Sequence, residues 1–442
     1  MLDSVAELLN EQRGVDDWLA REIEKTSTQV YIIGERPESR RTVFNHLVQV
    51  KVFNDHVAPD TGDRSRGSAV FTVLSSDKDN VPTKIADAVS IARLTHNQPY
   101  GLPGPAMYPE VPIVDEDICH APLDVAERLT EQLHRALRDE KGVRLSSAEI
   151  FVQSSHLHLR NSRGIDAVMD STSLLLDLVL LARRDNGEME SHVALERRRS
   201  ADLDISALVH RYAQYARDSL EAILPATGRY PVVVSHEALA ELLFGEGSSP
   251  LVFRTAAEQK YQKVSPLEVG ESIFGTIQPT GDPITFYSNA VLPYGMRSCR
   301  FDEEGLPGQR VIIVESGTLR HFWAPQRYAE YLGVSPTGIF GNLEMVGGTT
   351  PMADLLHSDG RMYHLVGFSA MNPDPITGDF VGEIRLGYEI NGNRKRAIKG
   401  GSVSGNLFDA LATARLSEES VFLGNYQGPV AVLFPSLTIS GA

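Results

Sequence analysis

The residues of this sequence best placed to do chemistry are the adjacent pair His236 and Glu237. An apolar run, residues 230–234 (YPVVV), precedes them and predicts a short buried strand that leads into a helix. In zinc hydrolases, a His-Glu pair at the head of such a helix supplies one metal ligand and one general base. A second histidine is required four or five positions after the first, and Ala240 and Glu241 occupy those positions. The zinc motif is therefore half present.

The same stretch is also typical of an ordinary helix start. Ser235 is a favoured residue at the position before a helix, and an acidic residue in the first turn is stabilised by the helix dipole. The apolar face of this helix would bury Ala238, Leu239, Leu242 and Leu243. On spacing alone the pair predicts a helix, and a metal site needs further ligands.

Two other groups of residues are candidate binding sites. His156 and His158 lie two apart on a predicted strand, so both rings face one side of a sheet at a spacing that can chelate a metal. Without a third ligand nearby, two partly exposed histidines are the alternative. Gly347, Gly348 and Thr349 resemble part of a phosphate cradle and are candidate substrate-binding residues, but they match neither glycine motif of nucleotide-binding proteins. Turn glycines are the alternative interpretation.

Length and composition indicate a globular protein of two or three domains. The chain has 442 residues, of which 42% are apolar and 23% charged, so each domain can bury its own core. Two cysteines, Cys119 and Cys299, rule out a disulfide framework and a four-cysteine zinc site. The first residues have an acidic amphipathic pattern unlike a signal peptide, and the longest apolar run, residues 174–182, is too short to cross a bilayer. We therefore expect a soluble, cytoplasmic protein.

The net charge of −16 restricts the possible partners. Nucleic acids are bound by positive surfaces that displace condensed counterions. The densest basic clusters, residues 197–199 and 394–396, are short and isolated. Neither nucleic acid nor a membrane is therefore expected as a partner.

Periodicity and turn signals divide the chain into three segments. Residues 1–114 are predicted as an N-terminal α/β subdomain, with a helix that carries Trp18, Leu19 and Ile23 and a boundary in the Pro- and Gly-rich stretch 97–114. Further helices are predicted over residues 2–10, 82–93, 122–138 and 205–224.

The remaining chain is predicted to be richer in strands. Residues 115–226 are a central α+β subdomain whose antiparallel strands carry helices on one face. Residues 227–442 are a β-rich domain, barrel-like or a sandwich, with few helices. Hairpin turns are predicted at residues 316–317 (Ser-Gly) and 391–392 (Asn-Gly). The fold class is therefore α+β.

Six short stretches of the sequence, taken together, form a combination that is specific to one protein family. The matching stretches are NSRGIDA (residues 161–167), YPVVVSHEALAELL (230–243), FDEEGLPGQRVIIVESGTLRHFW (301–323), NPDPITGDFVGEI (372–384), KGGSVSGNLFDAL (399–411) and PSLTISG (435–441). The Asp-Glu-Glu-Gly-x-Pro turn and the Asn-Pro-x-x-x-x-Gly-Asp-Phe run are the most specific of them. Together they resemble the TldD/TldE (PmbA) family over nearly the whole chain.

The resemblance implies a fold with an α/β N-terminal half and a β-rich, barrel-like C-terminal half, assembled as dimers in which TldD pairs with TldE. It implies that TldD-type chains bind zinc through a HExxxH motif and a cysteine near the C-terminus, whereas TldE-type chains lack this site. It further implies that the pairs hydrolyse amide bonds in unfolded peptides and peptide antibiotics. Some relatives act as N-deacetylases in natural-product pathways, such as lincosamide assembly.

Carried over residue by residue, the resemblance implies an incomplete zinc site in this chain. His236 and Glu237 match the first two motif positions, but Glu241 stands where the second histidine belongs. The cysteine-bearing loop corresponds to residues 423–428 (LGNYQG), which contain no cysteine. One imidazole cannot hold Zn²⁺, which takes three protein ligands plus water, and side chains five positions apart point about 140° apart on a helix. We therefore expect no metal in this chain and a vestigial role for the three residues.

The sequence thus predicts a TldE-like, zinc-free subunit of a heterodimeric amide hydrolase, which shapes access to the zinc site of a TldD-like partner. It would help to hold a peptide or small amide substrate by edge-strand hydrogen bonds. The alternatives are a subunit of an N-deacetylase in the biosynthesis of natural products such as lincosamide-type antibiotics, and a non-enzymatic scaffold. An independent non-metal hydrolase is a further alternative, although no serine lies in a GxSxG motif.

Overall fold

The computed structural model describes residues 1–59, 61–184, 187–245 and 249–441, and it confirms the predicted α+β class. The helices are α1 (Leu2–Glu11), α2 (Val81–Ala92), α3 (Glu116–His120), α4 (Pro122–Arg138), α5 (Ile205–Ser219), α6 (His236–Phe244), α7 (Pro250–Arg254), α8 (Ala257–Tyr261), α9 (Gln326–Leu332), α10 (Met352–Leu355) and α11 (Leu407–Leu411), with short 3₁₀ turns at Ser75–Asn80 and Ser200–Asp202. None of the described helices combines the length and the apolar character that crossing a bilayer needs.

Strands make up the larger part of the regular structure. They are β1 (Asp17–Ile33), β2 (Arg36–Val57), β3 (Arg64–Leu74), β4 (Val143–Asn161), β5 (Asp166–Arg184), β6 (Gly187–Arg197), β7 (Gly228–Ser235), β8 (Phe286–Asn289), β9 (Arg310–Glu315), β10 (Thr318–Leu319), β11 (Asn342–Met345), β12 (Arg361–Pro373), β13 (Asp379–Asn391), β14 (Arg394–Ile398), β15 (Ser402–Asn406), β16 (Arg415–Leu416), β17 (Ser420–Phe422), β18 (Tyr426–Pro429) and β19 (Ala431–Ser440).

The N-terminal half is one antiparallel sheet with helices on one face. Its strand order is β3-β2-β1-β4-β5-β6. Helices α1 and α2 pack on one end of this face, where Leu2 and Ile85 join Val50 of β2. Helix α4 packs with α5 on the other end, where Leu129 joins Ile150 of β4. The middle of the face therefore lies between two pairs of helices.

The predicted helix around Trp18, Leu19 and Ile23 is wrong, because these residues lie in β1. Both faces of the strand are covered at this end. Trp18 packs in the core beneath α1 and α2, whereas Leu19 packs with Phe301 on the opposite face. Apolar residues therefore follow one another directly, which hides the two-residue period of a strand.

The two predicted N-terminal segments, residues 1–114 and 115–226, share the same sheet, because β1 pairs with β4. The Pro- and Gly-rich stretch 97–114 therefore does not separate two sheets. It crosses to the C-terminal half, where the Tyr108 hydroxyl donates a hydrogen bond to the Gly305 carbonyl oxygen at 3.1 Å.

The C-terminal half contains a closed barrel. Strands β7, β19, β15, β13 and β12 pair in that order, and β12 also pairs with β7, which closes the ring. A second sheet, in the order β10-β9-β8-β11-β18-β17, shares a core with the barrel. The hairpin turn at Ser316 and Gly317 is confirmed. The other hairpin turns one residue later than predicted, at Gly392 and Asn393, because the residue before them still pairs across the turn.

A buried charge cluster fixes the start of β1. Asp17, which is 2% exposed, accepts hydrogen bonds from Arg66 at 2.8 Å and Arg163 at 2.7 Å. Arg66 also donates to the carbonyl oxygen of Tyr100, so the cluster anchors the 97–114 stretch. Burial alone would raise the pKa of Asp17, but hydrogen bonds from Arg163 and other donors lower it below the usual range.

We expect Asp17→Asn to lower the free energy of unfolding by about 3 kcal/mol at neutral pH, since it removes one partner of a buried ion pair. This value is the lower end of the range for the loss of one partner of a buried ion pair, because Arg66 keeps Asp55 as a second partner. A carboxylate whose folded-state pKa is depressed stabilises the fold above its unfolded pKa, and this contribution is lost as the pH falls through the folded value. Urea unfolding should therefore show the difference shrinking below about pH 4.

The exposed pair Asp117 and Arg128 provides the control. Asp117→Asn should change the free energy of unfolding by less than about 1 kcal/mol. Equal effects of Asp117→Asn and Asp17→Asn would contradict the role assigned to the buried cluster.

Candidate functional site

The turn from β7 into α6 places His236 in an unusual backbone conformation. Its φ angle is +54°, in the left-handed region that residues other than glycine seldom adopt. Its amide nitrogen donates to the Val430 carbonyl oxygen at 2.8 Å, and the preceding Ser235 pairs with Ala431 of β19. Strand pairing therefore holds the turn, and residues held in such conformations cluster at functional sites.

Ser235 and His364 form a buried pair beside His236. The Ser235 hydroxyl lies 2.8 Å from Nε2 of His364 and 3.2 Å from Nδ1 of His236. Burial, together with the nearby Lys395 and His236, lowers the pKa of His364 to about 3, so its ring is neutral at physiological pH. Ser235 occupies the position before the helix, but its side chain does not cap α6. His364 is 129 positions away from Ser235, so no local pattern pointed to it.

Glu237 is paired with a cation from the N-terminal half. Nη2 of Arg211, on α5, donates to Oε1 of Glu237 at 3.0 Å. Burial and the positive charge of Arg211 lower the pKa of His236, while the Glu237 carboxylate opposes this shift. The Arg211 guanidinium therefore binds the carboxylate that the zinc motif would use as a general base.

Glu241 faces the same cavity as Glu237. This cavity, of about 300 Å³, is bounded by β6, α5, α6, β12 and β13. Burial raises the pKa of Glu241, and the charge of Arg385 opposes this. Across the described residues, ligand atoms of three or more His, Cys, Asp or Glu side chains converge at a single place, which lies on β1 and β2. His236, Glu237 and Glu241 do not converge in this way.

Glu237 also lines a second cavity, of about 400 Å³. Its wall includes Ala240 of α6, and Leu423 and Asn425 of the loop between β17 and β18. This loop begins the segment, residues 423–428, that the resemblance equates with a cysteine-bearing loop. The fold thus places that loop beside the His-Glu helix, although the two are far apart in the sequence.

Gly347, Gly348 and Thr349 follow β11 and pack closely against the β16 segment. The Gly348 amide donates to the Ser417 carbonyl oxygen at 3.0 Å. A Cβ atom at Gly348 would lie 2.1 Å from a backbone oxygen of β16, so only glycine fits. Close packing accounts for this glycine, and a substrate-binding role for the three residues stays a prediction.

His156 and His158 lie on β4 of the N-terminal sheet, away from the His236 turn. Each has an aspartate of β5 as partner. Nδ1 of His156 lies 2.7 Å from Asp170, and Nε2 of His158 lies 2.6 Å from Asp166. Both rings are therefore held in place by a carboxylate.

The His-Glu turn lies at the end of one strand of a closed barrel, and the barrel belongs to the same chain as a long antiparallel sheet. Residues 227–441 match the family described as PmbA/TldA metallopeptidase C-terminal domain. The fold is similar to the crystal structure of TldE from Thermococcus kodakarensis, with a TM-score of 0.83, 19% identity and 100% of both chains covered.

Two relatives extend the similarity over most of the sequence. An uncharacterised protein from Methanocaldococcus jannaschii is 23% identical over 435 residues, which cover 95% of this chain and 94% of its own. Metalloprotease PmbA from Escherichia coli O157:H7 is 26% identical over 390 residues, which cover 85% and 83% respectively. The family match, these relatives and the fold together support a member of the TldD/TldE (PmbA) family.

We expect Arg211→Ala to raise the pH at which the His236 ring titrates. The substitution removes a positive charge that disfavours the imidazolium and leaves the Glu237 carboxylate, which favours it. NMR of the histidine ring protons between roughly pH 4 and 8 measures the change.

Arg217→Ala is the matched control, because it removes another α5 arginine whose partner is Glu140. It should not change the pH at which the His236 ring titrates. A His236 ring that titrates at the same or a lower pH in Arg211→Ala would refute the electrostatic assignment.

Proposed function

We propose that this chain is a TldE-like subunit of a heterodimeric amide hydrolase, without a catalytic zinc at His236, and that it shapes substrate access for a zinc-bearing, TldD-like partner. The observation that carries the proposal is the turn at His236. A helix that begins with His236 and Glu237 follows the left-handed turn, whereas Glu241 stands in place of the second histidine and Arg211 binds Glu237. Its similarity to TldE and to metalloprotease PmbA supports the same conclusion.

Charge balance supports a site that works without its own ion. A zinc hydrolase needs three protein ligands and an open position for water. Here Arg211 supplies the positive charge beside Glu237 that a metal ion would otherwise provide. His236 contributes one nitrogen, and the 423–428 loop contributes no thiolate. The residues therefore fit a structural pairing better than a catalytic metal centre.

The two cavities support a role in substrate access. Both are lined by Glu237, and their walls come from the N-terminal sheet as well as from the C-terminal half. A closed barrel leaves β7 without a free edge for an added strand. Two edge strands adjoin the second cavity: β6, the outermost strand of the N-terminal sheet, lines it through residues 194–197, and β17, the outermost strand of the second sheet, leads into Leu423. We propose that an extended substrate pairs with one of these two edges on its way to the partner's zinc.

The first test concerns catalysis and metal in the purified heterodimer. Glu237→Gln and His236→Ala in this chain should change the rate of amide hydrolysis by less than about tenfold, well below the roughly 10²–10⁴-fold that loss of a general base costs. Release of peptide fragments, followed by mass spectrometry, measures the rate. Substitution of a histidine in the partner's HExxxH motif is the positive control and should abolish hydrolysis. Zinc that is bound by the isolated chain and lost on His236→Ala would overturn the proposal.

The second test concerns access. Ala240→Trp should fill the second cavity and reduce kcat/KM for peptide substrates on the order of tenfold or more, because a displaced substrate misses the reactive geometry. Ala86→Trp, on the exposed face of α2, is the matched control and should leave kcat/KM near wild type. Unaltered kinetics in Ala240→Trp, with an intact heterodimer, would show that this cavity is not on the substrate path.

A further inference from the structure

We propose that the N-terminal sheet binds a first-row divalent cation, Zn²⁺ foremost, through Glu22, Glu24 and His46. Ligand atoms of the three side chains all lie within 4.8 Å of one another. Nε2 of His46 is 2.8 Å from Oε1 of Glu22 and 3.7 Å from Oε1 of Glu24. A tetrahedral Zn²⁺ with bonds of about 2.0–2.2 Å holds its ligands about 3.4 Å apart, so small shifts of these side chains suffice.

Strand register brings these ligands together on the helix-bearing face of the sheet. Glu24 pairs directly with His46 across β1 and β2, and Glu22 lies two positions along on the same face. The two helix pairs pack on the ends of this face, and partly buried polar side chains lie between them. We call this middle region the polar strip, and it consists of Glu22, Glu24, His46, His156 and His158.

The site is partly enclosed. The side chains of Glu22, His46 and Glu24 are 12%, 24% and 44% exposed, so an ion can enter past Glu24. The Met1 amine also contacts Glu22. That amine lies 3.1 Å from Oε1 of Glu22, so a bound ion shares this carboxylate with the amine or displaces it.

Strand β4 supplies further imidazoles beside the three ligands. His156 pairs with Glu24 and His158 pairs with Glu22 in the register of β1 and β4. Each imidazole is oriented by an aspartate on one ring nitrogen, the arrangement that second-shell carboxylates give to metal-binding histidines. The fourth ligand of a tetrahedral ion would be His156 or water. Weaker metal binding by His156→Ala would identify His156 as that ligand, and unchanged binding would identify water.

The donor set favours zinc over harder and softer ions. One imidazole nitrogen and two carboxylate oxygens are ligands that Zn²⁺ accepts, and the absence of a thiolate from the set disfavours soft ions such as Cu⁺. Zn²⁺ also binds nitrogen and oxygen ligands more tightly than Mn²⁺ or Fe²⁺ does. An ion at this place would cross-link β1 and β2 between the two helix pairs.

The test is a metal titration of the full chain after treatment with a chelator. We expect one equivalent of Co²⁺ to bind with visible absorption bands typical of a tetrahedral site, and Zn²⁺ to displace it. His46→Ala and Glu24→Gln should each weaken binding by about tenfold or more. Zn²⁺ should also raise the thermal unfolding midpoint of the wild type and not that of His46→Ala.

Two control variants separate the possible outcomes. His210→Ala removes an exposed histidine whose partner is Glu140, and it should bind as wild type does. His236→Ala should also leave the titration unchanged. No binding at micromolar metal, or wild-type binding by folded His46→Ala and Glu24→Gln, overturns this inference and leaves the proposed function intact. Binding that is lost in His236→Ala and kept in His46→Ala overturns both.

Discussion

The left-handed turn at His236 is the constraint on which the rest of the site depends. A residue other than glycine in this conformation costs on the order of 1–3 kcal/mol, and it persists only where the surroundings over-determine it. Here β7 is paired with β12 on one side and with β19 on the other. Because the barrel is closed, neither neighbour can move away without breaking the ring. Strand pairing alone therefore fixes the direction in which His236 and Glu237 leave the barrel, whatever occupies the cavities in front of them.

Arg211 makes this rigid turn a junction between the two halves of the molecule. It reaches from α5 to Glu237, and the Tyr388 hydroxyl of the barrel donates to Asp218 of the same helix at 2.6 Å. Partly buried charge pairs are screened less than surface pairs, so they restrict how the halves can shift. Under the proposed function, the Glu237 carboxylate, which a zinc hydrolase would use in catalysis, instead helps to fix the shape of both cavities.

Local patterns predicted those elements whose signal is local. Helix α4 begins at Pro122 and ends at Arg138, as predicted, because proline suits a first turn and the apolar stripe has helical spacing. The start of β1, around Trp18 and Leu19, is instead predicted as a helix, because cover on both faces removes the alternation that marks a strand. The side chains that complete the site, Arg211 and His364, could not be predicted from local sequence patterns. Arg211 and His364 lie 26 and 129 positions from their partners, and only the packing of whole elements brings them together.

The polar strip depends on a detail of register that periodicity cannot reveal. The tight turn between β1 and β2 would, if its register continued, set Glu24 opposite Asn45 and turn His46 to the other face. Glu38 is instead an extra residue on β2, directly after Pro37, and it forms a β-bulge. Beyond the bulge each residue of β1 meets a partner one position later, so that Glu24 faces His46. Bulges re-aim side chains at the expense of regular pairing. A single extra residue near the hairpin turn, well away from the ligands, thus decides whether three metal-binding side chains share one face of the sheet.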